Sequence, residues 1–285
     1  MIEKSLRERA SDFPARKQFG QNFLVDKEVL AKIVQELNLA PDDRVLEIGP
    51  GLGFLTEILL SKTKNVTAIE IDQYCIDALN KLNLSNLKLI KEDFLQTDLA
   101  SIIDSPIKIA GNIPYNITTP IISKLLGEIG EPTIWLSNIQ SIVLTVQKEL
   151  ANRLIAIPGK KDYSQITLLM NYYGVTKLLF TINPDNFAPM PQVHSAVIQF
   201  IPHKNMLLKC NNHKLLRKVI QTGFSSRRKM LKNTLRQLRL DDNKLAEIFK
   251  ELNFDPEVRP ESLALQQFAN LTNAIEKAGY NVTYK

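Results

Sequence analysis

Apolar residues recur along the first two hundred positions in two alternating rhythms. Near-continuous runs rich in Ile, Leu and Val stand at Arg44–Ile48, Val66–Ile71, Leu87–Lys91, Ile107–Ala110, Ile142–Gln147, Thr176–Ile182 and Ser195–Ile201. Runs of that length predict strands buried on both faces. Between them, three- and four-residue spacing predicts helices over Asp26–Leu37, Phe54–Ser61, Gln73–Leu82, Thr119–Glu128, Lys148–Ala156 and Ser164–Tyr173. Asp26 stands at an N-cap position, ahead of Val29, Leu30, Ile33, Val34 and Leu37 on one face. The alternation predicts an α/β fold with a mainly parallel, doubly covered sheet. The last two strands have no helix between them and are expected to pair antiparallel. After Pro202 only helical spacing remains, over Leu215–Gly223, Ser226–Leu238, Leu245–Glu251 and Leu263–Ala278. A domain boundary is therefore expected near Pro202–Asn205, dividing residues 1–203 from 204–285.

Charge sharpens that division. The chain has 285 residues and a net charge of +6, but residues 1–203 hold 20 Lys/Arg against 22 Asp/Glu, and residues 204–285 hold 16 against 8. Lys204 to Arg239 contains 11 Lys/Arg and no acid. A basic surface this local points to a polyanionic partner. Lys229, Lys232, Arg236 and Arg239 share one face of the predicted 226–238 helix, and Arg227 and Arg228 extend the stripe. A solvated charged face is the bland alternative. The absence of acids favours phosphate contacts, with Arg227, Arg228, Lys229, Lys232 and Arg236 as the RNA-binding candidates.

Other classes recede. No apolar run approaches the ~20 residues of a membrane span, and the charged N-terminus lacks the apolar middle of a signal peptide. Cys75 and Cys210 stand far apart, which suits a reduced, cytoplasmic protein. His194, His203 and His213 have no metal-ligand spacing, so no metal is expected.

The candidate chemistry lies at the strand ends. The first strand runs into Glu47-Ile-Gly-Pro-Gly-Leu-Gly53, where glycines let a ligand approach the backbone at a helix N-terminus. The second ends in Glu70, which either accepts hydrogen bonds from ribose hydroxyls or is a surface acid. The third ends at Asp93, placed to accept from an adenine amino group, and the fourth at Asn112. Four successive strands thus deliver polar groups to one sheet edge, where open α/β sheets bind ligands. Without a P-loop Lys, the pattern suits an adenosine lacking a demanding phosphate, and S-adenosylmethionine is the obvious cofactor.

The blocks FGQNFL (19–24), EIGPGLG (47–53), NIPYN (112–116), NFAPMPQVHSAV (186–197), FSSRRKMLKNTL (224–235) and RPESLALQQF (259–268) follow in order. Together they closely resemble the KsgA family of small-subunit rRNA adenine dimethyltransferases, over most of the chain. The resemblance implies a class I S-adenosylmethionine-dependent methyltransferase fold, with a Rossmann-like seven-stranded sheet and a smaller helical C-terminal domain. It implies cofactor contacts at Asn22, Leu24, Gly49, Glu70, Asp93 and Asn112, with Gln21 and Gly51 beside them. It also implies transfer of methyl groups to N6 of two adjacent adenosines near the 3′ end of small-subunit rRNA, in an assembling subunit; the enzyme is expected to be a monomer. His194 departs from the acid that many relatives carry.

An adenine amine is a poor nucleophile because its lone pair is delocalised. Asn112 offers a side-chain oxygen, Pro114 a carbonyl and Tyr115 a stacking ring, so alignment is expected to supply most of the rate. Phe187 is expected as a second wall for the flipped-out base, with core packing as its bland alternative. Weighed against this reading are a large-subunit rRNA methylase, a DNA adenine methylase and a non-catalytic RNA-binding factor.

Overall fold

A computed structural model of the chain describes residues 4–205, 208–226 and 228–280. The chain forms two compact units. The first takes the residues up to 125, 134–151 and 175–202; the second takes 126–133, 152–174 and the residues from 203 on. The helical C-terminal part is thus joined by two earlier segments, which contiguous reading does not reveal.

The first unit is built on seven strands: β1 (Arg44–Ile48), β2 (Asn65–Glu70), β3 (Leu87–Lys91), β4 (Ile107–Asn112), β5 (Ile139–Gln147), β6 (Gly174–Ile182) and β7 (Ser195–Pro202). Their order across the sheet is β3-β2-β1-β4-β5-β7-β6. β3, β2, β1, β4 and β5 run parallel, and β7 is antiparallel to β5. The expected pair β6 and β7 are neighbours. The chain adds β2 and β3 on one side of β1 and then returns to add β4 on the other. A crevice opens at the strands' carboxyl ends where that direction reverses.

Of the helices, α1 (Leu6–Ser11), α2 (Lys27–Glu36), α3 (Phe54–Leu60) and α4 (Gln73–Lys81) belong to this unit, and α5 (Thr118–Leu126) and α6 (Lys148–Leu154) start in it. Asp26 caps α2 through the N–H groups of Glu28 (2.9 Å) and Val29 (3.0 Å). Its predicted apolar face delivers Leu30, Ile33 and Val34 to a core shared with Val45, Leu55, Leu59 and Phe187. α1 has too few residues for a readable period, yet Ser5 and Glu8 close it with a capping box. Phe23–Leu24 also pairs antiparallel with Phe187–Ala188.

The second unit carries α7 (Gln165–Tyr173), α8 (His213–Gly223), α9 (Leu231–Leu235), α10 (Asp242–Glu251) and α11 (Leu265–Lys277). The single helix expected over 226–238 is corrected. The Lys229 N–H turns back to the Ser226 carbonyl (3.1 Å), and Met230 is extended at ψ 147°. After five residues α9 tightens into a 3₁₀ turn, Arg236–Leu238, and Arg239 ends it at φ 57°. Like charges along one face oppose a long helix here.

Candidate functional site

A cleft of about 230 Å³ opens at the carboxyl edge of β1–β4. Gly49, Gly51, Glu70, Asp93 and Asn112 all line it, as do Gln21, Asn22 and Leu24. Gly49 sits at φ +65°, and a Cβ built there meets nothing within 4 Å. The backbone is therefore bare on the cleft side, as close approach of a ligand requires. At Gly51 (φ +56°) a Cβ would fall 2.9 Å from the Phe23 ring, so a side chain there would have to displace that buried ring as well as adopt a left-handed backbone.

Glu70 is buried and bound by the backbone. Its Oε2 accepts from the Gly51 N–H (3.0 Å), and its Oε1 from Ile71 and Asp72 (both 2.9 Å). Burial raises its carboxyl above the ordinary range, against the pull of those amides. Asp93 accepts from the Leu95 N–H through Oδ1 (2.9 Å), and no bond to its Oδ2 is seen among the described residues. Glu47, which sequence reasoning passed over, also lines the cleft. Only 1% exposed, it accepts from the Thr56 hydroxyl at 2.7 Å, and burial pushes its carboxyl up to about 8. The available signal was a lone acid inside the apolar strand Arg-Val-Leu-Glu-Ile.

Gln21 lines the cleft, but its amide is committed. Nε2 donates to Asp72 (2.7 Å), and Oε1 accepts from the Arg16 N–H (2.8 Å). It serves to hold the segment that carries Asn22. The Asn22 carbonyl in turn accepts from Nδ2 of Asn112 (2.9 Å). That bond orients the Asn112 amide and leaves its Oδ1 as the unspent acceptor.

Two of the groups expected to hold the base, Pro114 and Phe187, require correction. The Pro114 carbonyl, expected to be available, already accepts from the Ile117 N–H (3.3 Å) and the Thr118 hydroxyl (3.2 Å). The neighbouring Ile113 carbonyl has no hydrogen bond among the described residues, and Ile113 lines the cleft. Phe187, expected as a stacking wall, is 0% exposed and lines neither the cleft nor the groove beside it. Its backbone pairing with Leu24 turns the ring into the core. Tyr115 does reach the cleft, its phenol held 2.5 Å from the hydroxyl of buried Ser195. Beyond Tyr115 lies a second groove, of about 860 Å³, whose other wall includes Pro189, Met190 and Pro191.

The basic candidates do not form one helical stripe. Arg228 and Lys229 are exposed on the turn before α9, Lys232 is half-buried on α9, and Arg236 lies beyond it. Arg236 is paired with Asp242, at 3.0 and 3.1 Å. Arg227 lies outside the described residues. His194 is exposed at the strand entry, and its carbonyl accepts from the Lys148 N–H (3.0 Å).

The sheet order and the polar strand-end cleft define an S-adenosylmethionine-dependent methyltransferase of class I. Residues 12–277 match the ribosomal RNA adenine dimethylase family. "Ribosomal RNA small subunit methyltransferase A" of Lachnoclostridium phytofermentans is 39% identical over 93% of each chain. Its namesake in Clostridium acetobutylicum is 38% identical over 93% of this chain and 95% of that one. A crystal structure of a dimethyladenosine transferase from Plasmodium falciparum superposes at TM-score 0.73 (26% identity, 90% of this chain, 98% of that one). The 23S rRNA methyltransferase ErmE shares the fold at TM-score 0.71 and 22% identity, over 90% of this chain and 100% of that one. The chain belongs to the ribosomal RNA adenine dimethylase family and is an S-adenosylmethionine-dependent enzyme.

Proposed function

We propose that this enzyme dimethylates N6 of two adjacent adenosines near the 3′ end of small-subunit rRNA, as a cytoplasmic monomer acting on an assembling subunit. The names of its relatives support the small-subunit target. The described residues hold no helix long and apolar enough to cross a membrane. Gly49, with its bare backbone, and Gly51, Glu70, Asp93, Asn22 and Leu24 line the 230 Å³ cleft and would hold the cofactor there. When bound, S-adenosylmethionine would supply an electrophilic methyl group on its sulfonium, the S–CH3 bond breaking to leave a neutral thioether as N6 takes the methyl.

The chain's own contribution is alignment. Asn112 Oδ1 accepts one N6 hydrogen, because its Nδ2 is already committed to Asn22. The Ile113 carbonyl accepts the other, in place of the occupied Pro114 carbonyl. Gripping both hydrogens draws the N6 lone pair out of conjugation and aims it at the methyl group. Tyr115, anchored by Ser195, stacks on the flipped-out base. The cationic amine formed by attack is strongly acidic and releases its proton to water. After the first transfer N6 keeps one hydrogen, so one of the two acceptor contacts is given up and a methyl takes its place. Arg228, Lys229, Lys232 and Arg236 bind rRNA phosphates.

The observation that carries this reading is the Asn112–Asn22 bond, which decides which amide atom faces the substrate. Incubation of unmethylated small subunits with labelled cofactor, followed by mapping of the modified nucleotides, tests it. Asn112→Ala is expected to lower single-turnover methylation by roughly two to three orders of magnitude, by analogy with loss of one preorganised hydrogen-bonding group at a transition state. A near-normal rate, or label confined to large-subunit RNA, refutes it.

A further inference from the structure

The geometry points to Gln147 as the residue that holds the N1 edge of the target adenine, an assignment that rests on the adenine-N6 reading above. β1 to β4 each bring a group to the cofactor cleft, and β5 is the next parallel strand at the same edge. Thr145 of β5 is in register with Asn112, and Gln147 follows two residues later on the same face. Across the antiparallel pair, Gln147 stands opposite Ser195. Directly opposed residues share a face, so the Gln147 side chain lies on the side where Ser195 anchors Tyr115.

Gln147 lines the 860 Å³ groove and not the cofactor cleft. The other polar side chains of that groove are accounted for. Gln21 is bound to Asp72, Asn22 to the Gly20 carbonyl, Ser11 to the Arg7 carbonyl and Tyr115 to Ser195, while Gln192, also without a side-chain hydrogen bond among the described residues, is exposed where Gln147 is half-buried. Half-buried Gln147 makes no side-chain hydrogen bond among the described residues. Its backbone is fixed on both sides, by the pairing with Ser195 and by the following Lys148 N–H on the His194 carbonyl. A spare amide on a rigid strand end beside the stacking ring is suited to reading a base edge.

The adenine supplies the complement. With both N6 hydrogens taken by Asn112 and Ile113, the neighbouring N1 lone pair still needs a donor. Gln147 Nε2–H provides it, and so stops the base from rotating about its N6 grip.

The test is single-turnover methylation of small subunits reconstituted with adenosine, 1-deazaadenosine or 7-deazaadenosine at the target. Wild type should slow roughly tenfold on 1-deazaadenosine, the scale of one lost neutral hydrogen bond, and keep its rate on 7-deazaadenosine. Gln147→Ala and Gln147→Glu, neither of which has the amide donor, should be about tenfold slow on all three substrates, with unchanged affinity for the cofactor. The assignment is overturned if wild type is indifferent to loss of N1, if either variant matches wild type on adenosine, or if the losses from variant and analogue multiply. Should a variant not bind cofactor, the wild-type ratio for the 1-deaza analogue decides alone. A wild type that leaves adenosine unmethylated refutes the functional reading itself; an active, N1-insensitive wild type refutes only the role of Gln147.

Discussion

Replacing Glu47 with Gln should make the methyltransferase unit progressively more stable than wild type as pH rises. Glu47 is 1% exposed, and burial is the largest cause of a carboxyl pKa moved from 4.5 to about 8, with the Glu70 charge adding and the Thr56 hydroxyl opposing. In the unfolded chain the group ionises near its ordinary value. Between these two values the native state holds a proton that the unfolded state has lost, so stability falls with rising pH. The loss begins near the unfolded pKa, is complete near the folded one, and amounts to ~1.4 kcal/mol per pH unit. From pH 5 to 7 that is about 2.7 kcal/mol, a large share of a typical 5–15 kcal/mol stability. Gln keeps an acceptor for Thr56 and cannot ionise. Its fixed packing cost is the same at every pH and cancels from the slope. Urea unfolding followed through Trp135, the protein's one tryptophan and a member of the same compact unit, reports the relevant transition. Wild-type and Glu47→Gln stabilities that run parallel within about 0.5 kcal/mol from pH 5 to 8 would refute a buried, proton-holding Glu47.

Three further outcomes are expected. Gly49→Ala forces a side chain into φ +65° and into the open face of the cleft; the strain is roughly 1–2 kcal/mol, and calorimetry should show cofactor affinity lowered by more than that strain implies. Unchanged affinity would remove Gly49 from the cradle. Ser195→Ala frees the Tyr115 phenol and should slow single-turnover methylation several-fold, on the order of one hydrogen bond, with cofactor affinity intact; an unaltered rate would show that the ring is held by its packing. Arg236→Ala loses an exposed ion pair with Asp242 worth ~0–1 kcal/mol, so thermal stability should barely move. The log–log salt slope of rRNA binding should shrink by about one, and an unchanged slope would exclude Arg236 from the phosphate contacts.

The parallel strands were legible because burial on both faces leaves an uninterrupted apolar run, and β1 and β3 fall at their expected boundaries. Strand ends then follow from strand boundaries, which is why Glu70, Asp93 and Asn112 could be placed on one edge. What escaped was set by partners remote in sequence. α1 and the two-residue pairing of Phe23–Leu24 with Phe187–Ala188 have too few residues to show a period. That pairing is also what takes Phe187 away from the cleft and the groove beside it. The helix expected over 226–238 failed for a different reason: spacing counts residues, whereas Met230 leaves the helical region and Arg239 adopts a left-handed one. The segments 126–133 and 152–174 belong to the second unit through packing alone.

The Asn-Ile-Pro-Tyr motif shows how far a local pattern reaches. It names residues, but the atom each one offers is chosen elsewhere. Asn112 presents its oxygen because the Asn22 carbonyl, ninety positions earlier, takes its amide hydrogen. Tyr115 stands as a fixed ring because the Ser195 hydroxyl, eighty positions later, shares a hydrogen bond with its phenol. Pro114 is the opposite case: its carbonyl is spent within the turn on Ile117 and Thr118, which stiffens the entry to α5 and leaves the Ile113 carbonyl unspent. The proline therefore acts through the chain direction it imposes at φ −58°. Strengthening either remote anchor cannot help catalysis unless the turn itself is rigid, and rigidity is what a carbonyl already committed to the following helix provides.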